Sequence, residues 1–315
     1  MELEYRTFPE AYVDLVYLIA RQGEVESTRN GLALVFQEPV LLHIWDPRCR
    51  VIVDSVRNAN PFFHVMETVW MLAGYRSVEW VAQFNSRMKE FADNGDVMGA
   101  YGDRWFRHFG NQVGKIIGML KADPTTRQAV LQMWDPHADL GTDHKDRPCN
   151  TNIYFRSREG WLDMTICNRS NDLVWGMFGA NCVHMSYLHE LIATAVDQNI
   201  GRYSVLSNNL HFYTDLYPNG REILGRGDVM ESVYPEYRQP LLDENENWFD
   251  LTQQAKHFIA GKDVSYSWLK LCAEPMRDAY FARTYEGGMA HIGLMPDSDW
   301  KTASKLWLAR NRVKG

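Results

Sequence analysis

The chain is poor in cysteine. It has five in 315 residues, at Cys49, Cys149, Cys167, Cys182 and Cys272, odd in number, widely spaced and without a C-x-x-C pair. That pattern argues against a disulfide framework and against a zinc site, so the thiols read as reduced and intracellular and no metal is expected. Long apolar runs are missing too. No stretch approaches the roughly 18 residues a membrane helix needs, and Met1-Glu2-Leu3-Glu4-Tyr5-Arg6 lacks the basic-then-apolar layout of a signal peptide. A cytoplasmic protein without a membrane partner is expected. A basic excess is absent: 33 Lys and Arg stand against 40 Asp and Glu, a net charge of −7, which leaves no field to hold a nucleic-acid polymer. An anionic partner must therefore be small and met by arginines gathered locally. What is present is ordinary for a globular protein, 45% hydrophobic and 23% charged, enough to bury a core in one large domain or in one domain with an appendage.

Apolar periodicity predicts helices at about residues 8–21, 60–73, 78–92, 111–121 and 181–198, the second opened by Asn60-Pro61. Strands are predicted at Gly31 to Phe36, Ala129 to Trp134, Asn152 to Phe155, Trp161 to Cys167 and Tyr203 to Leu206, with Arg158-Glu159-Gly160 as a turn between the third and fourth. The order is mixed α+β, with no repeat and no long linker. After about residue 218, Pro218-Asn219-Gly220, Pro235, Pro240 and the acidic Asp243 to Asn247 predict a loop-rich passage, then helices near 264–285 and 297–310. This divides the chain into a catalytic domain, 1–217, and a mainly helical C-terminal extension, 218–315, packed on it.

Three segments carry chemistry. Cys149 lies in Arg147-Pro148-Cys149-Asn150 ahead of a predicted strand; a cysteine is a nucleophile as the thiolate, which a nearby guanidinium favours, although a lone cysteine serves equally as a small core residue. Twenty residues on, Asn168-Arg169-Ser170-Asn171-Asp172 is a polar cluster between apolar stretches. Arg169 and Ser170 offer a charged fork and a hydroxyl suited to a phosphate monoester, or else a surface turn with an internal Arg–Asp pair. In Ser207-Asn208-Asn209-Leu210-His211-Phe212-Tyr213 the alternation puts His211 and Tyr213 on one face of an extended segment, suited to a sugar hydroxyl or to a satisfied core histidine.

Taken in order, Pro148-Cys149, Arg169-Ser170-x-Asp172, Gly176, Asn181 and His211-x-Tyr213 resemble thymidylate synthase and its relatives, the pyrimidine-nucleotide hydroxymethylases. The resemblance extends to Thr28-Arg29-Asn30-Gly31, similar to the phosphate loop, to Glu67 to Gly74, similar to the helix of the active-site glutamate, to Tyr101-Gly102-x-x-Trp105, and to Asp123 to Arg127, similar to a loop reaching into the partner subunit. It covers about residues 24 to 217. It implies an α+β fold built round a large mixed sheet flanked by helices, and a homodimer formed through that sheet. It further implies that Cys149 adds to C6 of a pyrimidine deoxynucleoside monophosphate, that C5 then takes a one-carbon unit from the co-substrate 5,10-methylenetetrahydrofolate, and that Glu67 and Tyr101 assist. Arg29, Arg169, Ser170 and the partner's Arg127 would hold phosphate, His211 and Tyr213 the ribose, and Asp172 with Gly176 the pterin.

The departures from the resemblance bear on the product. Arg127-Gln128 replaces two consecutive arginines, Asn150 stands where synthases commonly have histidine, and Met88-Lys89-Glu90-Phe91 replaces a Trp-x-x-Trp segment over the folate. The chain ends in Arg310 to Gly315 rather than a short apolar tail, and Asn171 resembles the hydroxymethylase branch. A site less closed to water favours water over hydride as the final addend. The expectation is therefore a dUMP 5-hydroxymethylase in a bacterial cell or phage-infected host, the alternatives being a thymidylate synthase or a dCMP hydroxymethylase or methylase. An asparagine amide can accept from N3–H and donate to O4 of uracil, and Asn181 supplies it when counted back from the following helix. Counted forward from Arg169 the position is Ala180, because residues 176–181 contain one residue more than the resemblance requires; Asn181 could also merely cap the helix. A cysteine hydrolase using Cys149 and His211 leaves the Arg169 cluster without a role, and a non-enzymatic nucleotide-binding module is disfavoured because Cys149, Glu67 and His211 are all present.

Overall fold

A computed structural model describes residues 1–216, 219–225 and 238–312. The expected boundary at 217/218, Pro218, Pro235 and the terminal Val313, Lys314 and Gly315 lie outside the described residues. Among the described residues ten strands form two sheets: β1 (Glu2–Tyr5), β2 (Glu24–Thr28), β3 (Gly31–Val35), β4 (Val40–Ile44), β5 (Val130–Gln132), β6 (Asn150–Arg158), β7 (Trp161–Asn168), β8 (Asn171–Asp172), β9 (Asn199–Ser207) and β10 (Leu210–Tyr213). The larger sheet runs β1-β4-β9-β7-β6-β5 with parallel and antiparallel pairs, the smaller β2-β3-β10-β8. This is the α+β fold with a large mixed sheet that the resemblance implies.

Alternation along the strands decides which side is covered. Leu162, Met164 and Ile166 of β7 and Ile153 and Phe155 of β6 are buried, while Val130, Tyr154, Trp161 and Leu206 of the same sheet are exposed. The covered face packs on the helix Cys182–Ala195, whose residues 182–193 are all buried. The helix Phe8–Gln22 starts from a capping box between Thr7 and Glu10, and Pro61–Leu72 starts from Asn60, whose side chain accepts from the Phe63 N–H at 3.2 Å.

Two helical expectations need correction. The 78–92 pattern is not one helix but a single turn, Val78–Val81, and a 3-10 segment, Ser86–Phe91; the Asn85 side chain accepts from the Arg87 N–H, a local bond that competes with helix continuation. Trp248–Ile259 is a helix in a stretch that was passed over, capped by Asn247 and packed on Pro61–Leu72. Beyond it lie Glu274–Phe281, Tyr285–Gly293 and Asp299–Arg312, so the C-terminal region is helical. One apolar core runs from Phe8 to Leu308. A buried node joins its parts: the Tyr187 hydroxyl accepts from the indoles of Trp268 (3.3 Å) and Trp300 (2.8 Å), beside the buried pair Arg50–Glu190. Among the described residues, no helix is long and apolar enough to cross a membrane.

Candidate active site

Eleven of the twelve singled-out residues line one cavity of about 600 Å³, within the roughly 300–1,000 Å³ usual for small-molecule sites: Arg29, Glu67, Tyr101, Cys149, Arg169, Ser170, Asp172, Gly176, Asn181, His211 and Tyr213. Arg127 does not. It is exposed on the turn after Asp123, a turn stiffened where the Thr125 N–H and hydroxyl donate to the Asp123 carboxylate.

Cys149 precedes β6, and between Asn150 and Asn152 the pairing with β7 slips by a bulge, a device that re-aims side chains beside active sites. Arg169 holds this corner. Its guanidinium donates to the carbonyls of Pro148 (2.9 Å) and Arg147 (3.0 Å) and comes within 4.0 Å of the Cys149 Sγ, so the internal Arg–Asp pair is not what forms. Burial nevertheless raises the thiol pKa more than Arg169 and Arg29 lower it, with Asp146 and Asp172 adding to the rise. The guanidinium lowers the thiol pKa as expected, but burial sets the net direction upward.

Glu67 points from the middle of the Pro61–Leu72 helix into the same cavity. Burial, then the negative charge of Asp146, push its carboxyl up to about 8, and its Oε2 has no hydrogen-bond partner among the described residues. His184 Nε2 is 3.5 Å away, but burial pushes that imidazole down to about 3, so the contact joins two neutral groups rather than an ion pair. Tyr101, raised chiefly by burial and then by Cys149 and Asp146, faces the backbone N–H groups of Cys149 and Asn150.

The smaller sheet sets the opposite wall. β10 runs parallel to β8 with His211 opposite Asp172, and antiparallel to β3, so the Thr28–Gly31 turn carrying Arg29 and Asn30 comes within reach of Tyr213, whose hydroxyl accepts from Asn30 at 3.2 Å. The His211 and Tyr213 rings share one face, 4.7 Å apart. The His211 Nδ1 meets the Asn209 side-chain oxygen at 2.8 Å, and burial lowers its pKa. Asp172 caps the next helix, its Oδ2 accepting from the Trp175 N–H at 2.7 Å.

That helix, Leu173–Asn181, is π-helical, with Gly179 bent out of helical conformation and the Cys182 N–H reaching back five residues to the Met177 carbonyl. A widened turn of this kind absorbs one extra residue, which accounts for the surplus residue in 176–181 and puts both Ala180 and Asn181 on the cavity. Asn181 makes no side-chain cap bond to its helix. Its amide instead accepts from Asn150 (3.4 Å) and donates to Asn171 (3.1 Å), in a buried network with Asn168 and Ser207. Each half of the amide keeps one further hydrogen-bonding position.

Asn168, Ser207 and Asp146 were missed as site residues. Asn168 and Ser207 open two of the chemistry-bearing segments without a role of their own in the sequence reading, while Asp146 stands just ahead of the Arg147-Pro148-Cys149 corner and could have been flagged by position. The tryptophans expected from the 88–91 segment are absent, but an aromatic wall stands there: Trp175 of Leu173–Asn181 lies on the cavity with Phe91 at 6.2 Å and the Arg87 guanidinium at 4.8 Å from its ring, Met88 beside them.

The arrangement can hold a planar base beside a thiol, a neutral carboxyl group and an amide, with an anion at the arginine end. Comparison with known proteins agrees. Residues 10–254 match the family described as Thymidylate synthase. The chain is 37% identical to a deoxyuridylate hydroxymethyltransferase of Pseudomonas phage M6, covering 99% of this chain and 94% of that one. It is 37% identical to the protein of that name from Bacillus phage SP01, covering 66% and 57%, and 33% identical to a putative thymidylate synthase of Methanothermobacter marburgensis, covering 72% and 99%. With the family matched across most of its length, the chain belongs to the thymidylate synthase family of enzymes.

Proposed function

We propose that the enzyme converts dUMP to its 5-hydroxymethyl derivative. The observation that carries this reading is the presence of Cys149, Glu67 and the Asn181 amide on one cavity that also bears Arg29, Arg169 and Ser170, in a chain alike over nearly its whole length to a protein named for this activity. The phosphate is held by Arg29, Arg169 and Ser170, and the ribose hydroxyl by His211 and Tyr213 on their common face. Asn181 accepts from N3–H and donates to O4 of uracil, a pairing cytosine lacks. Arg169 and Arg29 favour the Cys149 thiolate, whose sulfur adds to C6 and makes C5 nucleophilic. Glu67, protonated at neutral pH, acts as a hydrogen-bond donor and proton source at O4 while Tyr101 steadies the Cys149 backbone.

The family's co-substrate, 5,10-methylenetetrahydrofolate, supplies the one-carbon unit at the oxidation level of formaldehyde. The cavity fits it: the Trp175 face, Phe91 and Met88 form an apolar wall for a flat ring, and Asp172 and Gly176 stand beside that wall. The Asn150–Asn168–Asn171–Asn181 network keeps polar groups where a water-excluding site would be apolar, which favours water as the last addend.

The same reading makes the enzyme a homodimer. The exposed apolar residues Val130, Tyr154 and Leu206 on the open face of the larger sheet suit a partner, and the exposed Arg127 serves the partner's phosphate site. Among the described residues, those lining the cavity lie between Arg29 and Leu216, which supports 1–217 as the catalytic unit and 218–315 as an extension. The phage relatives favour the cytoplasm of an infected bacterium. Incubation with 5,10-methylenetetrahydrofolate and either dUMP or dCMP, followed by mass spectrometry, tests the reading. A hydroxymethyl product from dUMP is expected; a methyl product with dihydrofolate, or turnover of dCMP alone, overturns it.

A further inference from the structure

Two acids in the cavity, Asp139 and Asp146, have no part in the mechanism above, and Asp139 is held in a buried ion pair with Arg104 at 2.7 Å. Asp146 lines the same cavity as Cys149, Glu67 and Asn181, three residues before the nucleophile. Its carboxylate is seated against Gly99, whose backbone N–H donates to it and where a Cβ would collide with its Oδ2. Only glycine leaves that seat open. We propose, building on the hydroxymethylase reading, that Asp146 is the base of the final step, taking a proton from the water that adds to the one-carbon unit on C5.

Its charged neighbours divide the labour. Arg169 and Arg104 favour the carboxylate, while burial and Asp139 oppose it, leaving its pKa at about 6. Glu67 stands at about 8, raised in part by Asp146 itself. Near pH 7 Asp146 is therefore ionised and Glu67 protonated: one can accept a proton and the other can donate one. Cys149 and Tyr101 lie within the field of the same carboxylate.

The step balances without oxidant or reductant. The nucleotide carries an exocyclic methylene on C5 and the Cys149 sulfur on C6. The water oxygen bonds to the methylene carbon, a water proton passes to Asp146, and the methylene double-bond pair moves through C5 and C4 onto O4 as an enolate. Collapse of the enolate restores C4=O and C5=C6, breaks the C6–S bond and returns the electron pair to sulfur as thiolate. The Asp146 proton goes to solvent.

The test uses Asp146→Asn and Asp146→Glu in the full-length protein. Product from dUMP and 5,10-methylenetetrahydrofolate is read by mass spectrometry. Exchange of the C5 hydrogen of dUMP with D2O, without folate, is followed by NMR and reports addition of Cys149 and proton movement alone. In Asp146→Asn, hydroxymethyl product is expected to fall about 10²- to 10⁴-fold. C5 exchange persists in that variant, with its alkaline limb moved to lower pH because loss of the neighbouring negative charge lowers the Glu67 pKa. Asp146→Glu recovers part of the lost hydroxymethylation. Unchanged hydroxymethylation in Asp146→Asn overturns the assignment while the hydroxymethylase reading stands. Equal loss of both reactions in Asp146→Asn and Asp146→Glu also overturns it, because a base for water alone leaves C5 exchange running. A methyl product from the unmodified enzyme fails the functional reading and this step with it.

Discussion

A carboxyl group and an imidazole 3.5 Å apart on a protein surface would share a charge; Glu67 and His184 do not, because burial penalises both ions and neither brings a strong enough partner. The consequence is a carboxylic acid kept neutral through physiological pH. Turnover that depends on that acid should fall as pH rises through about 8. Glu67→Gln should lower kcat by about 10²- to 10⁴-fold and flatten that limb of the profile. The sign for stability follows from the same shift. The folded state holds a proton that an unfolded carboxyl releases near 4.5, so stability contributed by Glu67 is fully present below that pH and is lost as pH climbs to about 8. Urea midpoints measured across that window should decline in the unmodified protein and decline less in Glu67→Gln. A pH-independent difference between the two would contradict the buried, protonated state.

At the scale of an element, the π-helical segment Leu173–Asn181 sets where the Asn181 amide, the proposed reader of the base, stands on the cavity. Its extra residue is tolerated because Arg57 bridges the kink, donating to the carbonyls of Val174 (3.0 Å) and Phe178 (2.6 Å). The segment also requires a close approach: a Cβ on Gly176 would lie 2.5 Å from the Asn171 Oδ1, the acceptor that orients the Asn181 amide. Gly176→Ala should open the buried amide network, at a cost of about 1–3 kcal/mol for the groups left unpaired. It should also raise KM for dUMP, because the reading amide loses its orientation. Equilibrium denaturation with steady-state kinetics checks both, and a destabilised variant with unaltered KM would remove the network from nucleotide recognition. The extra residue is countable in the sequence, but its accommodation is not, since spacing alone cannot tell a shifted reader from a widened turn.

For the whole molecule the question is what completes the site. Arg127 lies outside its own cavity, and the open face of the larger sheet presents apolar residues, so the homodimer reading predicts complementation between subunits. Cys149→Ser and Arg127→Ala should each be impaired alone. Mixed by refolding in equal amounts, half of the dimers are hybrids carrying one intact nucleophile served by one intact arginine, so activity should recover to about a quarter of the unmodified level. No recovery would sink the shared site. The C-terminal helices act at this scale too: Tyr187 is the common acceptor for Trp268 and Trp300, so they fold into the core that buries the helix following Asn181.

By itself the sequence determined the order of the candidate residues that converge on one cavity, the mixed α+β class, the Arg158-Glu159-Gly160 hairpin between β6 and β7, and the lack of a basic excess and of an apolar run long enough for a membrane helix. These were legible because local turn chemistry, alternation and the order of Cys149, Arg169 and His211 are written along the chain. The tertiary structure decided the charge states of Glu67, His184 and Cys149, the source of the aromatic wall at Trp175, the helix at Trp248–Ile259 and the seat of Asp146 on Gly99. Each of these depends on burial or on contact between residues far apart in sequence, and desolvation and packing act through space, where spacing along the chain carries no information.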